Sequence, residues 1–378
     1  MIYLDYAATM PMRQQAIEAM LPYFADCAAN AGAAHGAGRE ARRAVDRARA
    51  TVAQALNADP SELFWTSGGT EADNWALFGT AKAQPERRHV IVSAIEHHAV
   101  LHTAEALGAL GFGVTEIRPD AEGVIRADAV KAALRGDTFL VSVMTANNEV
   151  GTLQPVAEIA EAAHECGALM HTDAVQALGH IPVDVRATGV DLLSFSAHKF
   201  GGPKGIGGLF VRKGTRILPL LYGGAQERGL RSGTENVPGI VGTAAALEEA
   251  IRRMPEEGER IAALRNLLMS RILEECSFAR VNGSLKQRLP GNLHLTFEGV
   301  DQDALLMRLD LAGVMASAGS ACTSGIRERS HVIRAMGLAG EGEADLRLSL
   351  GSGTTEQECI KAAEIIVDAV VSLRRIHY

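Results

Sequence analysis

The sequence predicts an α/β fold, with a mainly parallel sheet in a large domain and a smaller α+β domain after it. Short apolar runs typical of strands alternate with helical patterns over roughly the first two thirds of the chain, which is the pattern of βαβ units. The pattern changes near Met254–Gly258, where a long amphipathic helical stretch begins. The length of 378 residues is sufficient for two domains.

The predicted strands of the large domain are short. They are Leu63–Thr66, Val90–Ser93, Gly113–Ile117, Phe139–Met144, Ala168–Thr172, Leu192–Phe195 and Gly208–Val211. The C-terminal region has strand patterns at 292–297 and 345–350, and helical patterns at 258–275, 303–311 and 356–373. We therefore predict a large domain of residues 14–255, and a small domain formed by residues 1–13 and 256–378 that carries Cys322 in a loop.

Composition argues against several classes of function. The net charge of −8, the pI of about 5.9 and the 4% of aromatic residues do not indicate a nucleic-acid-binding surface. No apolar run reaches the roughly 20 residues that span a bilayer, and the N-terminus lacks the pattern of a signal peptide. The five cysteines form no CxxC pair, which argues against a zinc site and a disulfide framework. We expect a cytoplasmic protein without a metal site.

Polar residues follow several of the predicted strands. Because the carboxyl ends of parallel strands meet at one edge of a sheet, where ligands bind, these residues are expected to converge. They are Thr70, Glu96, His97, Asn147, Asn148, Asp173, Gln176, Ser196, His198 and Lys199.

Lys199 is the centre of the predicted site. It follows an apolar strand-like run and precedes a glycine-rich turn. Burial favours the neutral amine, and a neutral amine attacks an aldehyde to form a Schiff base. Ser196 and His198 beside it can donate hydrogen bonds to a phosphate. The alternative is a lysine that extends along a strand to solvent, next to a Gly-Pro loop.

Other motifs also admit a structural and a functional interpretation. The stretch Ser67–Glu71 can bind a phosphate at a helix start, or form an ordinary helix cap. Asp173 can pair with a protonated ring nitrogen and Gln176 with a ring oxygen, whereas the alternative for Asp173 is a helix cap. His97 can stack on a flat cofactor and move protons, or form a surface pair with His98.

Three features of the later chain are candidates for function. The glycine-rich segment Gly223–Asn236 is long and without helical period, which is typical of functional segments but also of flexible surface loops. Cys322 lies among small residues, the setting of a reactive cysteine, and we interpret the other four cysteines as structural. Arg347, within a strand-like run, can hold a carboxylate through two N–H groups, or lie exposed on an edge strand.

Seven motifs together favour the functional interpretations. They are Ser67–Glu71, Glu96–Val100, Ala146–Gly151, His171–Gln176, Ser196–Gly205, Arg231–Asn236 and Gly319–Gly325. In order and spacing they resemble the NifS/IscS-type cysteine desulfurases, over nearly the whole chain. The resemblance implies the class V aminotransferase branch of the fold-type I enzymes that use pyridoxal 5'-phosphate (PLP). It implies homodimers with the active site near the subunit interface, and a mainly parallel seven-stranded sheet in the large domain.

The resemblance also implies a role for each matching residue. Lys199 resembles the lysine that forms the Schiff base with PLP, and Cys322 the cysteine that carries the persulfide. Asn148 and Arg347 match the residues that hold the carboxylate of the substrate L-cysteine, and His97 the catalytic histidine that stacks on the ring. The implied cofactor contacts are Gly69, Thr70, His97, Asn148, Asp173, Gln176, Ser196, His198 and Lys199, with Thr234 donated by the other subunit.

The reaction implied is removal of sulfur from L-cysteine, which gives L-alanine and a persulfide that passes to an acceptor protein. The pathway would be iron–sulfur cluster assembly or thiolation of tRNA, DNA or a cofactor. The alternatives are a selenocysteine lyase, another class V PLP transferase, or a non-catalytic protein with the same fold. Ala29–His35 and Arg327–Ser330 depart from the family pattern, and the chain stops at Tyr378 without the longer tail of housekeeping members. These departures leave the acceptor open.

Overall fold

The computed structural model describes residues 1–319 and 329–377. The helices and strands are, in chain order, β1 (Ile2–Tyr3), α1 (Gln14–Met20), α2 (Gly36–Ala55), β2 (Leu63–Thr66), α3 (Gly69–Ala83), β3 (His89–Ser93), α4 (His98–Ala109), β4 (Gly113–Ile117), α5 (Ala127–Ala133), β5 (Thr138–Ser142), α6 (Val156–Glu165), β6 (Leu169–Asp173), α7 (Val185–Thr188), β7 (Leu192–Ser196), β8 (Gly207–Val211), α8 (Val237–Glu275), β9 (Ala279–Val281), β10 (Asn292–Glu298), α9 (Gln302–Leu311), β11 (Val314–Met315), α10 (His331–Ala335), β12 (Glu343–Ser349) and α11 (Glu356–His377). Short 3-10 helices lie at Leu21–Tyr23, Pro60–Glu62, Ala197–Lys199 and Gln226–Gly229.

The larger sheet has seven strands in the order β2-β8-β7-β6-β5-β3-β4. Strands β4, β3, β5, β6 and β7 run parallel, and β8 is antiparallel to both of its neighbours. Val90 and Val92 lie in one apolar cluster and Ile91 in another, as expected for a strand with covered faces on both sides. Burial of both faces explains why these strands form continuous apolar runs in the sequence. The predicted mainly parallel seven-stranded sheet is confirmed.

The second core surrounds a three-stranded antiparallel sheet in the order β12-β10-β9. Leu293 and Leu295 of β10 pack in it with Leu346 of β12 and with residues of α8, α9 and α11. Strand β1 pairs in parallel with β11, so that Ile2 and Leu4 also join this core. The first residues of the chain are therefore fixed against its C-terminal part.

Helix α8 differs from the expectation that a new helix starts near Gly258. It is continuous over 39 residues, Val237–Glu275, although Pro255 lies inside it. A proline removes one backbone donor, whereas apolar residues on both sides of it keep the helix packed. Leu247 lies in the core of the large sheet and Leu268 in the core of the small one. The division of the chain at 13/14 and 255/256 stays a prediction, and α8 runs through the second of these positions.

The described residues also bear on membranes, metals and thiols. None of their helices is long and apolar enough to cross a membrane. Within the same ranges, no group of three or more His, Cys, Asp or Glu side chains is arranged to hold a metal ion. Cys27, Cys166, Cys276 and Cys359 are free thiols. Burial raises the pKa of Cys276 and Cys359 to about 11, so these two are poor nucleophiles at neutral pH.

A buried ion pair fixes the segment Gly223–Asn236 to the sheet. The two carboxylate oxygens of Glu227 accept hydrogen bonds from Nη2 and Nη1 of Arg49 at 2.6 and 2.7 Å. Glu227 Oε2 also accepts from the backbone N–H of Trp65 at 3.0 Å. Glu227 has a φ of 46°, in the left-handed region that residues other than glycine rarely adopt. The ion pair therefore holds a strained turn in the segment that contains Thr234.

We expect Glu227→Gln to lower the free energy of unfolding by about 3–5 kcal/mol, because it leaves the buried guanidinium of Arg49 without a charged partner. Chemical denaturation measures this loss. Glu165→Gln is the control, since both side chains of its ion pair with Lys131 are more than half exposed and solvent screens such a pair, so its loss should change stability little. Equal losses in the two variants would show that the buried ion pair stabilises the fold no more than the exposed one.

Candidate active site

One edge of the large sheet gathers the residues that follow β3, β5, β6 and β7. The register pairs Asp173 of β6 with Ser194 of β7, so the residues beyond these positions are neighbours. Val175 lies so close to Gly69 that a Cβ added to the glycine would be 2.6 Å from Val175 Cγ2. Electrostatic interactions connect Lys199 with His97, Asp173 and His198. The charge of Lys199 therefore acts on all three of these side chains.

Lys199 ends the 3-10 helix that follows β7. Its Nζ donates hydrogen bonds to the backbone carbonyls of Ala7 at 2.6 Å and Ala8 at 2.9 Å. Its own carbonyl accepts a hydrogen bond from His180 Nε2 at 2.7 Å. The amine is thus held at the sheet edge by carbonyl groups of the N-terminal segment.

Asp173 is the last residue of β6, with 6% of its surface exposed. Its Oδ1 accepts a hydrogen bond from the backbone N–H of Val175 at 2.8 Å. Burial raises the pKa of this carboxyl to about 6, while the hydrogen bond and the positive charge of Lys199 act in the opposite direction. A carboxylate in such surroundings is stabilised by any further cation placed against it. The environment therefore suits the pairing with a protonated ring nitrogen that the sequence predicts.

Two further acids, Glu96 and Asp73, are buried near Asp173. Glu96 Oε1 accepts hydrogen bonds from the backbone N–H of Met144 at 2.8 Å and from Ser93 Oγ. Burial raises the pKa of both acids, that of Glu96 to about 8, and the charge of Asp173 raises each further. Glu96 Oε2 and Asp73 Oδ1 are buried without a hydrogen-bond partner among the described residues. Burial therefore favours the protonated form of both acids, and Glu96 is protonated at neutral pH.

A neutral histidine lies beside Asp73. His171 is hydrogen-bonded through Nδ1 to Ser142 Oγ at 2.8 Å and through Nε2 to Ser194 Oγ at 3.0 Å. Asp73 Oδ1 is 3.6 Å from His171 Nε2. Burial lowers the pKa of His171 to about 3, so its ring offers Asp73 no positive charge. Sequence reasoning did not identify these two residues, because α3 and β6 contain other polar residues and nothing in the sequence singles out Asp73 or His171.

His97 and His198 are also neutral. Burial, and then the charge of Lys199, lower the pKa of each ring to about 4. His97 is the N-cap of α4, and its Nδ1 accepts a hydrogen bond from the backbone N–H of Ala99 at 3.1 Å. Its proton is therefore on Nε2. His198 Nδ1 is hydrogen-bonded to Thr9 Oγ1 at 3.1 Å.

The start of α3 offers backbone N–H groups to an anion. The helix begins at Gly69 after Gly68, and no side chain caps it. A Cβ added to Gly68 would lie 3.7 Å from Ser196 Oγ, so this hydroxyl belongs to the same corner. Thr70 is exposed in the first turn. Uncapped N–H groups with a nearby hydroxyl form the donor set that a phosphate prefers.

Arg347 and Asn148 meet between the two sheets. Arg347 lies on the edge strand β12 but is only 2% exposed, because its side chain points inward. Its Nη1 donates to the backbone carbonyl of Asn148 at 3.0 Å. Its Nε is buried without a hydrogen-bond partner in the described part of the chain. A buried guanidinium with an unfilled donor suits a carboxylate ligand.

The segment between β1 and α1 lies across this site, which sequence reasoning missed. Ala7 O accepts from Lys199 Nζ and also from Gln176 Nε2, the latter at 2.9 Å. Asp5 and Thr9 of the same segment contact Arg347 and His198. The only signal in the sequence was the pair of polar residues Asp5 and Thr9 on either side of Ala7 and Ala8. The small side chains of these alanines leave their backbone carbonyls accessible to other side chains.

Residues 2–361 match the family model described as aminotransferase class-V. The chain belongs to this family. It is 45% identical over 375 residues to "Cysteine desulfurase IscS" of Methanosarcina thermophila, covering 99% of this chain and 93% of the relative. A solved structure titled "NIFS-LIKE PROTEIN" superimposes with a TM-score of 0.92 at 38% identity, over 98% of this chain and 100% of that one. Another, titled "SspA in complex with cysteine", gives 0.83 at 37% identity, over 93% and 99%.

Two of the predicted site residues, Thr234 and Cys322, are not among those that the structure brings together at the edge of the large sheet. Thr234 lines a cavity with Ser67 and Asn236 on the single chain, and its predicted contact belongs to a second subunit. Cys322 lies outside the described residues. Beyond it, Arg329 of the departing segment donates to Glu343 Oε2 at 2.7 Å and to Asp345 Oδ1 at 2.9 Å.

The raised pKa of Glu96 makes the stability of this class-V protein depend on pH. Between the ordinary value of 4.5 and the folded value of about 8, the fold keeps a proton that the unfolded chain releases. Stability therefore falls as pH rises through this window, by about 1.4 kcal/mol per pH unit. We expect Glu96→Gln to remove this contribution, so that the variant gains stability relative to the parent between pH 5 and pH 8.

Denaturation curves at several pH values measure this difference. Glu161→Gln, on the exposed face of α6, is the control and should keep a constant offset from the parent. The same constant offset for Glu96→Gln would contradict the buried, protonated state of Glu96.

Proposed function

We propose that this protein is a PLP-dependent cysteine desulfurase that converts L-cysteine to L-alanine and leaves a persulfide on Cys322. The observation that carries the proposal is the placement of the Lys199 amine within the field of the buried Asp173 carboxyl, at the sheet edge where ligands bind. The N-terminal segment connects Lys199 and Gln176 to Arg347. The relative named as a cysteine desulfurase over nearly its full length supports the reaction.

The described residues fit PLP by their chemistry. The amine of Lys199 suits its aldehyde, the buried acid of Asp173 its ring nitrogen, and the amide of Gln176 its ring hydroxyl. The uncapped start of α3 suits its phosphate. The remaining proposed contacts are Gly69, Thr70, Ser196 and His198 for the phosphate, with Thr234 from a second subunit, and His97 and Asn148 for the ring.

The side chains proposed to surround the ring have different roles. PLP, when bound, supplies an electron sink for the charge that develops on the substrate carbon. Lys199 Nζ would take the proton from the α-carbon and return it. His97 would stack on the ring as a neutral imidazole, so it would add no positive charge that competes with the ring nitrogen for Asp173. Arg347 and Asn148 hold the substrate carboxylate.

Cys322 completes the reaction. Its thiolate attacks the sulfur of the bound substrate, so that a sulfur–sulfur bond forms. The carbon–sulfur bond breaks, and its electron pair stays with the carbon, which takes a proton to become the methyl group of alanine. The terminal sulfur is then passed from Cys322 to an acceptor protein, in iron–sulfur cluster assembly or in thiolation of tRNA, DNA or a cofactor.

The proposal includes a homodimer in the cytoplasm, without membrane or direct nucleic-acid contact. The four described cysteines are free, which suits a reducing compartment. The net charge of −8 gives no support to contact with nucleic acid. The alternatives of a selenocysteine lyase or another class V transferase are not favoured, because the full-length relative is named a cysteine desulfurase.

We expect Cys322→Ala to bind as much PLP as the parent and to form no alanine from L-cysteine, because only the sulfur acceptor is lost. Absorbance measures the bound cofactor and amino-acid analysis measures alanine. Cys166→Ala, which removes a free thiol on the far end of α6, is the control and should keep full turnover. Alanine formation at the parental rate by Cys322→Ala would remove Cys322 from its proposed role.

We expect Lys199→Ala to lose the covalent link to PLP, since no other amine of the chain is proposed to reach the aldehyde. Borohydride reduction followed by peptide mass analysis detects the link. Lys204→Ala, in the same glycine-rich turn but exposed, should be labelled at residue 199 like the parent. Labelling of a lysine other than Lys199 in the parent and in Lys199→Ala would refute the assignment.

A further inference from the structure

Asp5 lies against the guanidinium of Arg347, and no role has yet been assigned to it. Arg347 Nη2 donates to Asp5 Oδ1 at 2.9 Å. The side chain of the arginine is 2% exposed and that of the aspartate 20%, so the pair is largely removed from water. A buried guanidinium without a carboxylate partner is costly. Asp5 therefore compensates the charge of Arg347 before any substrate arrives.

The carboxylate of Asp5 is itself fixed by its surroundings. Ser317 Oγ donates to Asp5 Oδ1 at 3.2 Å. The backbone on both sides is tied to β12, because Ser349 N donates to Leu4 O at 2.8 Å and Tyr6 N donates to Ser349 O at 3.3 Å. The segment that contains Asp5 is thus hydrogen-bonded to β12, the strand that carries Arg347. Its position is set by the fold rather than by a flexible side chain.

The contacts of Arg347 occupy only part of its donors. A guanidinium carries five N–H groups. Asn148 O takes one hydrogen of Nη1 and Asp5 takes one hydrogen of Nη2. Nε is buried without a hydrogen-bond partner in residues 1–319 and 329–377. Two fixed acceptors therefore set the plane of the guanidinium, while Nε is left for a further acceptor.

We infer that Asp5 is a positioning residue, which together with the Asn148 carbonyl fixes the guanidinium of Arg347 so that Nε faces the carboxylate of the amino-acid substrate. The inference rests on the proposed function, in which Arg347 binds that carboxylate. Asp5 does not touch the reacting atoms, and it acts only through Arg347. Its removal should therefore weaken the binding of ligands that carry a carboxylate, and leave other amines unaffected.

A matched pair of ligands tests this in the holoenzyme. L-Alanine and ethylamine differ only by the carboxylate, and binding of either is followed by the absorbance of the bound cofactor, without turnover. We expect Asp5→Asn to raise the Kd of L-alanine about tenfold, the usual weight of a hydrogen bond to a charged group. The Kd of ethylamine should stay unchanged. With L-cysteine as substrate, KM should rise and kcat should change little.

Asp368→Asn is the control variant. It removes an exposed aspartate that accepts from Arg308 Nη2 at 3.1 Å on α9, away from the site, and should bind both ligands like the parent. If Asp5→Asn does not fold, Asp5→Glu replaces it, because the longer side chain keeps the charge and shifts the guanidinium. The same selective loss for L-alanine is then expected.

Two results would overturn the inference, and a third would overturn the proposed function. Unchanged or tighter binding of L-alanine by Asp5→Asn would show that Asp5 does not position Arg347 or that it competes with the ligand. Equal weakening for L-alanine and ethylamine would show a purely structural role. Failure of the parent holoenzyme to form alanine from L-cysteine would instead overturn the proposed function, and the parent assay alone separates that case from the other two.

Discussion

The field between the Asp173 carboxyl and the Lys199 amine is the interaction on which the site depends. Both groups lie at the carboxyl ends of adjacent parallel strands, β6 and β7, whose burial on both faces excludes water. Low local dielectric strengthens every charge interaction and raises the cost of every unpaired charge. Burial raises the pKa of Asp73 and Glu96, that of Glu96 to about 8, so Glu96 adds no negative charge beside Asp173 at neutral pH. The sheet therefore holds the Asp173 carboxyl at a fixed position beside Lys199.

The sequence was sufficient for the mainly parallel seven-stranded sheet and for the polar residues that follow its strands. Continuous apolar runs such as Val90–Ser93 predict strands covered on both faces, and the polar residues after them mark the edge where ligands bind. Neither signal depends on tertiary detail. The continuous helix α8 was not predictable, because Pro255 is a local break signal that packing on both sides overrides.

Other parts of the site were missed because their roles arise only from tertiary contacts. Asp5 and Thr9 lie in an irregular segment whose local sequence shows no periodicity, and their partners Arg347 and His198 are 342 and 189 residues away in the chain. Asp73 looks like an ordinary polar residue of an alanine-rich helix. It becomes notable only because the fold buries it beside His171, whose ring is neutral.

The N-terminal segment also links the regions around Arg347 and Lys199. Ala7 N donates to Ser349 Oγ at 2.8 Å, next to Arg347 on β12. A few residues later, Met10 N donates to His198 O at 3.0 Å, beside Lys199. One short stretch of backbone therefore joins the strand of Arg347 to the segment that carries the amine of Lys199. Since small misplacements of reacting groups are costly to catalysis, this stretch is as much part of the site as the side chains it carries.

The charges of the site are completed by the ligands it is proposed to bind. Asp173 is balanced in part by Lys199, Arg347 by Asp5, and the start of α3 has no side-chain cap. In the proposed function, each of these three places receives one more charge of the opposite sign, from a ring nitrogen, a carboxylate and a phosphate. His97 and His198 are neutral at neutral pH, so they do not compensate these charges in place of the ligand. Internal partners thus keep the buried charges tolerable, while Nε of Arg347 has no hydrogen-bond partner among the described residues and the start of α3 has no side-chain cap.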